Sequence, residues 1–287
     1  LYALFFSPVV FKDRLLAPFD GLRFHYPHFQ LARTLWDPRL GAGFPVAADP
    51  QVMTWYLPAM LGALVPQSWN GFVISAYVLA SWFTFLYVRG LTRNAFAGTI
   101  SGLVFGASGF MCAQLAHTAI VHTAAWLPAI LFCLDELAQR RNGRWMAATA
   151  VAVGCCITAG HLQIAVYVLC AAGMFALAIG ATTDRSVKFA GAAAAAMALG
   201  VALAGVQLLP ALELIRETTR SRFGFAEFAG YSFEPYQLVT FLFPYLFGGM
   251  DAGPYRLPYF GPVGHTETAV YVGTAALVQG AHRLALA

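Results

Sequence analysis

From residue 71 onward the chain alternates long apolar runs with short polar connections. The runs cover about 71–88, 95–113, 118–135, 145–159, 162–181, 189–209 and 266–282. Most approach the ~20 apolar residues that an α-helix needs to cross the hydrocarbon core of a bilayer, so each is read as a membrane span. Another apolar run, 1–11, is too short to span by itself. It begins at Leu1 without a methionine, and we take it as the outer half of a first span in a piece of a longer protein. That makes about eight transmembrane helices, the first truncated.

Two long stretches break the rhythm. Residues 12–70 are polar and aromatic and contain Asp13, Asp20, Asp37, Asp49 and the Pro/Gly-rich string Asp37-Pro38-Arg39-Leu40-Gly41-Ala42-Gly43-Phe44-Pro45. Within them, 22–36 carries apolar residues at helical spacing, which suits a helix lying flat at the interface. The run 52–65 is short and flanked by proline. Residues 210–264 form the second long segment. In the Ala-rich span, Gly191, Gly200 and Gly205 are the small residues that allow close helix packing in lipid.

Composition agrees with this picture. Hydrophobic residues make up 59% of the 287 and charged residues only 10%, against about a quarter charged in an ordinary soluble domain. The chain cannot cover a water-facing surface, and bilayer is its solvent. The formal charge of +4 lies largely in short loops, with no basic stripe of stacking aromatics, so a nucleic-acid partner is excluded. Cys112, Cys133, Cys155, Cys156 and Cys170 lack metal-ligand spacing and read as small buried hydrophobes.

The charges also give an orientation. Arg89 and Arg93, then Arg140, Arg141 and Arg144, then Arg185 and Lys188 occupy alternate short connections, and the intervening turns near 114–117 and 160–161 carry Gln and His instead. Basic short loops mark the cytoplasmic side. The long segments 12–70 and 210–264 then lie outside, and although they carry Arg23 and Arg220, long segments translocate with less regard to charge. The whole is a single transmembrane domain, 1–287.

Ionisable groups gather on the outer face. Asp20 follows the first helix. His25 and His28 share a helical face; His117 and His122 flank the start of a span; His161 sits in a tight outer turn. Glu213 and Glu217 lie near Arg216, Arg220 and Arg222, and His265 and Glu267 open the last span. Carboxylates here serve as general base or hold a divalent metal such as Mg or Mn, and Arg side chains grip phosphate. The plainer alternatives are a turn at Asp37, interfacial histidines at His25 and His28, surface ion pairs of Glu213 with Arg216 or Glu217 with Arg220, and pairing of Asp135 and Glu136 near Arg140.

Several strings resemble the YfhO-like bacterial membrane proteins. They are Asp20-Gly21-Leu22-Arg23-Phe24-His25-Tyr26-Pro27-His28-Phe29, the stretch from Trp36-Asp37-Pro38 to Asp49-Pro50-Gln51, and Trp55-Tyr56-Leu57-Pro58. Ser108-Gly109-Phe110-Met111 with His117, Leu127-Pro128, and Gly160-His161-Leu162-Gln163 with Tyr167 follow. Gln207-Leu208-Leu209-Pro210 with Glu213, and Glu267 with Tyr271-Val272-Gly273, complete the set. The resemblance runs in order along nearly the whole chain. It implies a GT-C type helical bundle that uses a polyprenyl-phosphate sugar donor and does not identify the sugar or the acceptor, for which we expect a cell-envelope glycan or teichoic-acid-like molecule. The place would be the extracytoplasmic face of the bacterial inner membrane, with Asp20 as the catalytic acid of the first outer loop. His25, His28, His161, Gln163, Glu213 and Glu267 would line the substrate site, and Arg216, Arg220 or Arg222 would hold donor phosphate. No doubled-acid signature surrounds Asp20. The competing functions are a transporter or lipid flippase, which needs polar groups near the bilayer midplane, and a non-catalytic scaffold, in which Asp20, His161 and Glu213 would be scattered.

Overall fold

The computed structural model describes residues 2–12, 14–30, 34–182, 186–225, 229, 232, 234–249, 258–261, 264 and 266. Among these the chain is helical, with isolated bridges only at Asp37–Phe44 and Gly249–Pro258. The helices are α1 Tyr2–Phe5, α2 Ser7–Val10, α3 Tyr26–Gln30, α4 Leu57–Gly62, α5 Trp69–Thr92, α6 Ala95–Gly106, α7 Gly109–Ala113, α8 Thr118–Ala125, α9 Leu127–Arg140, α10 Gly143–Thr158, α11 Leu162–Thr182, α12 Ser186–Leu203 and α13 Gly205–Glu217.

Four stretches are long and apolar enough to cross a membrane: Trp69–Thr92, Ala95–Ala116, Thr118–Arg140 and Leu162–Ala181. The bent pair Val187–Leu203 with Gly205–Glu217 makes five if it is one span, and Gly143–Thr158 is a shorter apolar helix. Among the described residues the protein is therefore an all-helical membrane protein. The expected span 266–282 lies outside the described residues, save Thr266.

Local chemistry sets the helix limits. Asn94 accepts from the N–H groups of Phe96 and Ala97, and Asn142 from that of Trp145, capping α6 and α10. Arg93 and Arg141 close α5 and α9 in the left-handed conformation. The expected span 118–135 is two helices that meet at Trp126. Pro128 has no N–H to return to the carbonyl four residues back, and the helix restarts at Leu127. The expected span 189–209 also breaks, at Ala204, with a bend of 64°. There the Gln207 amide is drawn to the carbonyls of Ala47 and Ala48, both at 3.4 Å, which seats α13 on the 3-10 turn Val46–Ala48. The interfacial helix expected over 22–36 is shorter: a π-turn, Gly21–His25, runs into α3 and its described part ends at Gln30.

Small residues bring the spans together. Gly98, Gly102 and Gly106 form one face of α6, where a Cβ at Gly102 would lie 2.6 Å from the Ser81 carbonyl oxygen of α5. Gly200 of α12 meets Ala150 and Val153 of α10 in the same way, whereas Gly191 and Gly205 face open space. One buried cluster joins the early segment to α5 and α8, and a second joins α9 to α12. Between them His122 is fully buried. It stacks on Phe72 at 4.2 Å, takes the Tyr56 hydroxyl at Nδ1 (3.2 Å) and meets the Phe72 carbonyl at Nε2 (3.1 Å). Its role is to tie α8 to α5 and to Tyr56.

Candidate functional site

Asp20 precedes the π-turn and is open to solvent, its side chain 59% exposed. The residue beside it is His117, from the tight connection between α7 and α8: Nε2 lies 3.6 Å from Asp20 Oδ2. The other nitrogen of His117, Nδ1, is 2.6 Å from Gln114 Oε1, and Gln114 Nε2 donates to the Thr266 carbonyl at 2.9 Å. Gln114 is buried, although a glutamine is usually a surface residue. Its packing anchors the imidazole on the side away from Asp20.

His25 lies under this pair and is almost fully buried. Burial pushes its imidazole down to about 4 from 6.5; His117 adds to the fall, and Asp20 and a hydrogen bond to the Gln51 backbone oppose it. His25 Nδ1 is buried without a hydrogen-bond partner. His28 is also buried, with Nδ1 2.7 Å from the Phe24 carbonyl, inside its own helix.

Residues 45–53 connect this cluster to the other candidates. The turn Pro50–Val52 holds His25 through Gln51 on one side. On the other side it abuts Gly160, whose backbone has φ +105° and where a Cβ would lie 2.5 Å from the Pro50 carbonyl oxygen. Glycine is required there on both counts. His161 follows, takes the Ile164 N–H at Nδ1 (3.3 Å) and donates its own N–H to Thr123 Oγ1 (3.3 Å), starting α11. At the far end of the same segment, Pro45 and Ala48 face Pro210, Glu213, Leu214, Arg216 and Glu217 across a cleft of about 550 Å³. Asp20 and His161 are not among its lining residues, so Glu213 does not share this cleft with them, the arrangement expected of a non-catalytic scaffold rather than of one common pocket.

The expected residues therefore fall into groups. Asp20 and His25 come together, with His117 as the partner that the resemblance did not assign to the site. Its sequence signal was a His at a turn free of Lys and Arg, one residue before a span. Gln114 carried no signal, because nothing in its local sequence shows that it is buried. Glu213 and Arg216 share the second cleft, and among the described residues neither forms an ion pair. Gln163 is exposed on α11, bonded to Tyr167 at 2.7 Å. Arg222 is exposed on the 3-10 turn Thr219–Arg222, to which Arg220 also belongs. Glu267 and His265 lie outside the described residues.

Asp37 is a turn residue, as expected, and more: Arg39 clasps it through both carboxylate oxygens at 2.9 and 3.0 Å. The Arg39 guanidinium holds this carboxyl below the usual carboxylate range. At the opposite end of the bundle Glu136 pairs with Arg140, while Asp135 accepts from Gln139 at 2.6 Å.

Asp20 and His117 supply two metal donors. Among the described residues no group of three or more His, Cys, Asp or Glu side chains is placed to hold a metal ion. The chemistry this arrangement offers is proton transfer at an exposed carboxylate backed by an imidazole. No family model, curated protein or solved structure matches the chain.

Proposed function

We propose that this chain is the membrane-embedded part of a GT-C type glycosyltransferase of the YfhO-like kind, working on the extracytoplasmic face of a bacterial inner membrane. It transfers a sugar from a polyprenyl-phosphate donor to a hydroxyl of a cell-envelope acceptor. One observation carries the proposal: Asp20, a solvent-open carboxylate placed after the first helical segment, is paired at 3.6 Å with an anchored imidazole, His117. A carboxylate in that setting is a general base for a hydroxyl. As the acceptor oxygen bonds to the sugar C1, the bond from C1 to the phosphate oxygen breaks. Polyprenyl phosphate leaves with the bonding electrons, and the acceptor proton passes to Asp20. The eight spans expected from the sequence form the bundle of this enzyme, and the apolar lipid chain of the donor reaches the site through the surrounding bilayer.

The test is transfer of a radiolabelled sugar from a polyprenyl-phosphate donor by the purified protein in lipid. Asp20→Asn is expected to lower the rate by about 10²–10⁴-fold at wild-type expression, the range for loss of a general base. Transfer that survives the substitution undiminished removes Asp20 from the mechanism.

One observation favours a second function. The 64° break between α12 and α13, with buried Gln207 beside it, is the kind of discontinuous helix that transporters use at a substrate site. A lipid flippase would move the labelled polyprenyl-phosphate sugar across liposomes without hydrolysing it, and Asp20→Asn would leave that flux intact.

A further inference from the structure

We infer that Gln114 is a positioning residue that fixes the proton on one nitrogen of His117, and that the Asp20–His117 pair thereby becomes a directed proton relay. The inference rests on the proposed role of Asp20 as the base.

The orientation of Gln114 is settled by its surroundings. Its amide faces the Thr266 carbonyl at 2.9 Å. A carbonyl only accepts, so the group facing it must be the NH2, and the carbonyl oxygen of the side chain is turned to His117. That oxygen, 2.6 Å from Nδ1, also only accepts. His117 Nδ1 must therefore carry a hydrogen. In the neutral ring this leaves Nε2 as the bare nitrogen, and it is Nε2 that faces Asp20 Oδ2 across 3.6 Å. A free neutral histidine ring favours the opposite assignment, with the hydrogen on Nε2; here a backbone carbonyl sets it on Nδ1 through one buried amide.

The consequence is a defined proton path. Asp20 takes the acceptor hydroxyl proton as the new C–O bond forms and the phosphate leaves. Once Asp20 is protonated its O–H can donate to bare Nε2, the 3.6 Å gap closing to hydrogen-bond reach, and the proton then moves from Oδ2 to Nε2, which makes an imidazolium and restores the carboxylate. The imidazolium is held by Asp20 on one side and the Gln114 oxygen on the other. Among the described residues, the titratable groups shown beside His117 are Asp20 and His25, and His28 lies beside His25. Asp20 is exposed, so the proton leaves the pair to solvent on that side.

The test is nitrogen NMR of the full chain in lipid nanodiscs with ring-labelled histidine, the His117 signals being assigned by their loss in His117→Asn. At alkaline pH the wild type is expected to show the Nδ1–H form of His117. Gln114→Leu is expected to shift that ring toward the Nε2–H form, and Gln114→Glu, which keeps an acceptor in place, to restore Nδ1–H. In the transfer assay Gln114→Leu lowers kcat on the order of 10²-fold with KM little changed, the penalty of a misplaced catalytic group. A wild-type His117 in the Nε2–H form overturns the inference, whether or not Gln114→Leu folds. So does an unchanged ring in Gln114→Leu. The tautomer is read without any substrate, so an Nδ1–H ring in a protein that transfers no sugar sinks the proposed reaction and the relay built on it, and leaves standing the fixing of the His117 proton by Gln114.

Discussion

His25 shows how the fold has shaped individual side chains. An unfolded chain protonates this ring near its ordinary 6.5, and the folded chain only near 4, because burial penalises the charged form. Between those values the unfolded state binds the extra proton. The stability that neutral His25 contributes is therefore fully present above about pH 6.5 and is lost as the pH falls toward 4. The loss amounts to a few kcal/mol at most. The expected outcome is an unfolding midpoint in lipid that drops between pH 7 and pH 5, with a shallower drop in His25→Gln. Equal slopes would mean that other groups govern the acid limb. The solvated position of Asp20 was legible in the sequence, since an acid just past an apolar helix is costly unless solvated or used. The choice of His117 over His122 was not. Both flank the start of the same span, and only the packing shows one at the surface beside Asp20 and the other sealed between Phe72 and Tyr56.

At the scale of elements, the apolar runs located the helices well, because hydrophobic length is dictated by the bilayer and not by tertiary detail. Charged turns and Asn caps then bounded them. The breaks at Trp126 and Ala204 did not show in the hydropathy, since both junctions are as apolar as their surroundings. They arise from a missing N–H at Pro128 and from the anchoring of Gln207 on Ala47 and Ala48. Helix contacts in lipid depend on shape more than on apolarity, and glycine marks the tight ones. Gly102→Val forces a side chain into the Ser81 backbone and is expected to destabilise the α5–α6 pair by about 1–3 kcal/mol. Gly173→Ala, in the middle of α11 with no atom within 4 Å of the added carbon, is expected to stabilise by roughly 0.5–1 kcal/mol. Thermal unfolding of the two variants in the same detergent decides. Similar shifts in both would mean that the close approach at Gly102 is not what holds the two helices together.

At the scale of the whole molecule, the two ends of the bundle differ in chemistry. Arg89 and Arg93 lie around the α5–α6 turn, Arg140, Arg141 and Arg144 around the α9–α10 turn, and Lys188 at the start of α12. Asp20 lies before α5, His117 after the Ala95–Ala116 stretch, and His161 after the shorter apolar helix α10. If the basic end is cytoplasmic, the Asp20 end faces out, and three crossings separate residue 40 from residue 143: α5, the Ala95–Ala116 stretch and the Thr118–Arg140 stretch. In a chain with its five cysteines replaced, Leu40→Cys should react with a membrane-impermeant maleimide on intact cells. Gly143→Cys should react only after permeabilisation; both positions are exposed, so reagent access is set by sidedness. The reverse pattern would place Asp20 in the cytoplasm, where the donor sugar of an extracytoplasmic transfer is not presented. Labelling of both from one side would mean that one of the three stretches does not cross. The candidate is Ala95–Ala116, since it changes from α-helix to a short helix and a 3-10 turn before it reaches His117. The same experiment thus decides the sidedness of the Asp20–His117 pair and whether the helix leading to it spans the bilayer.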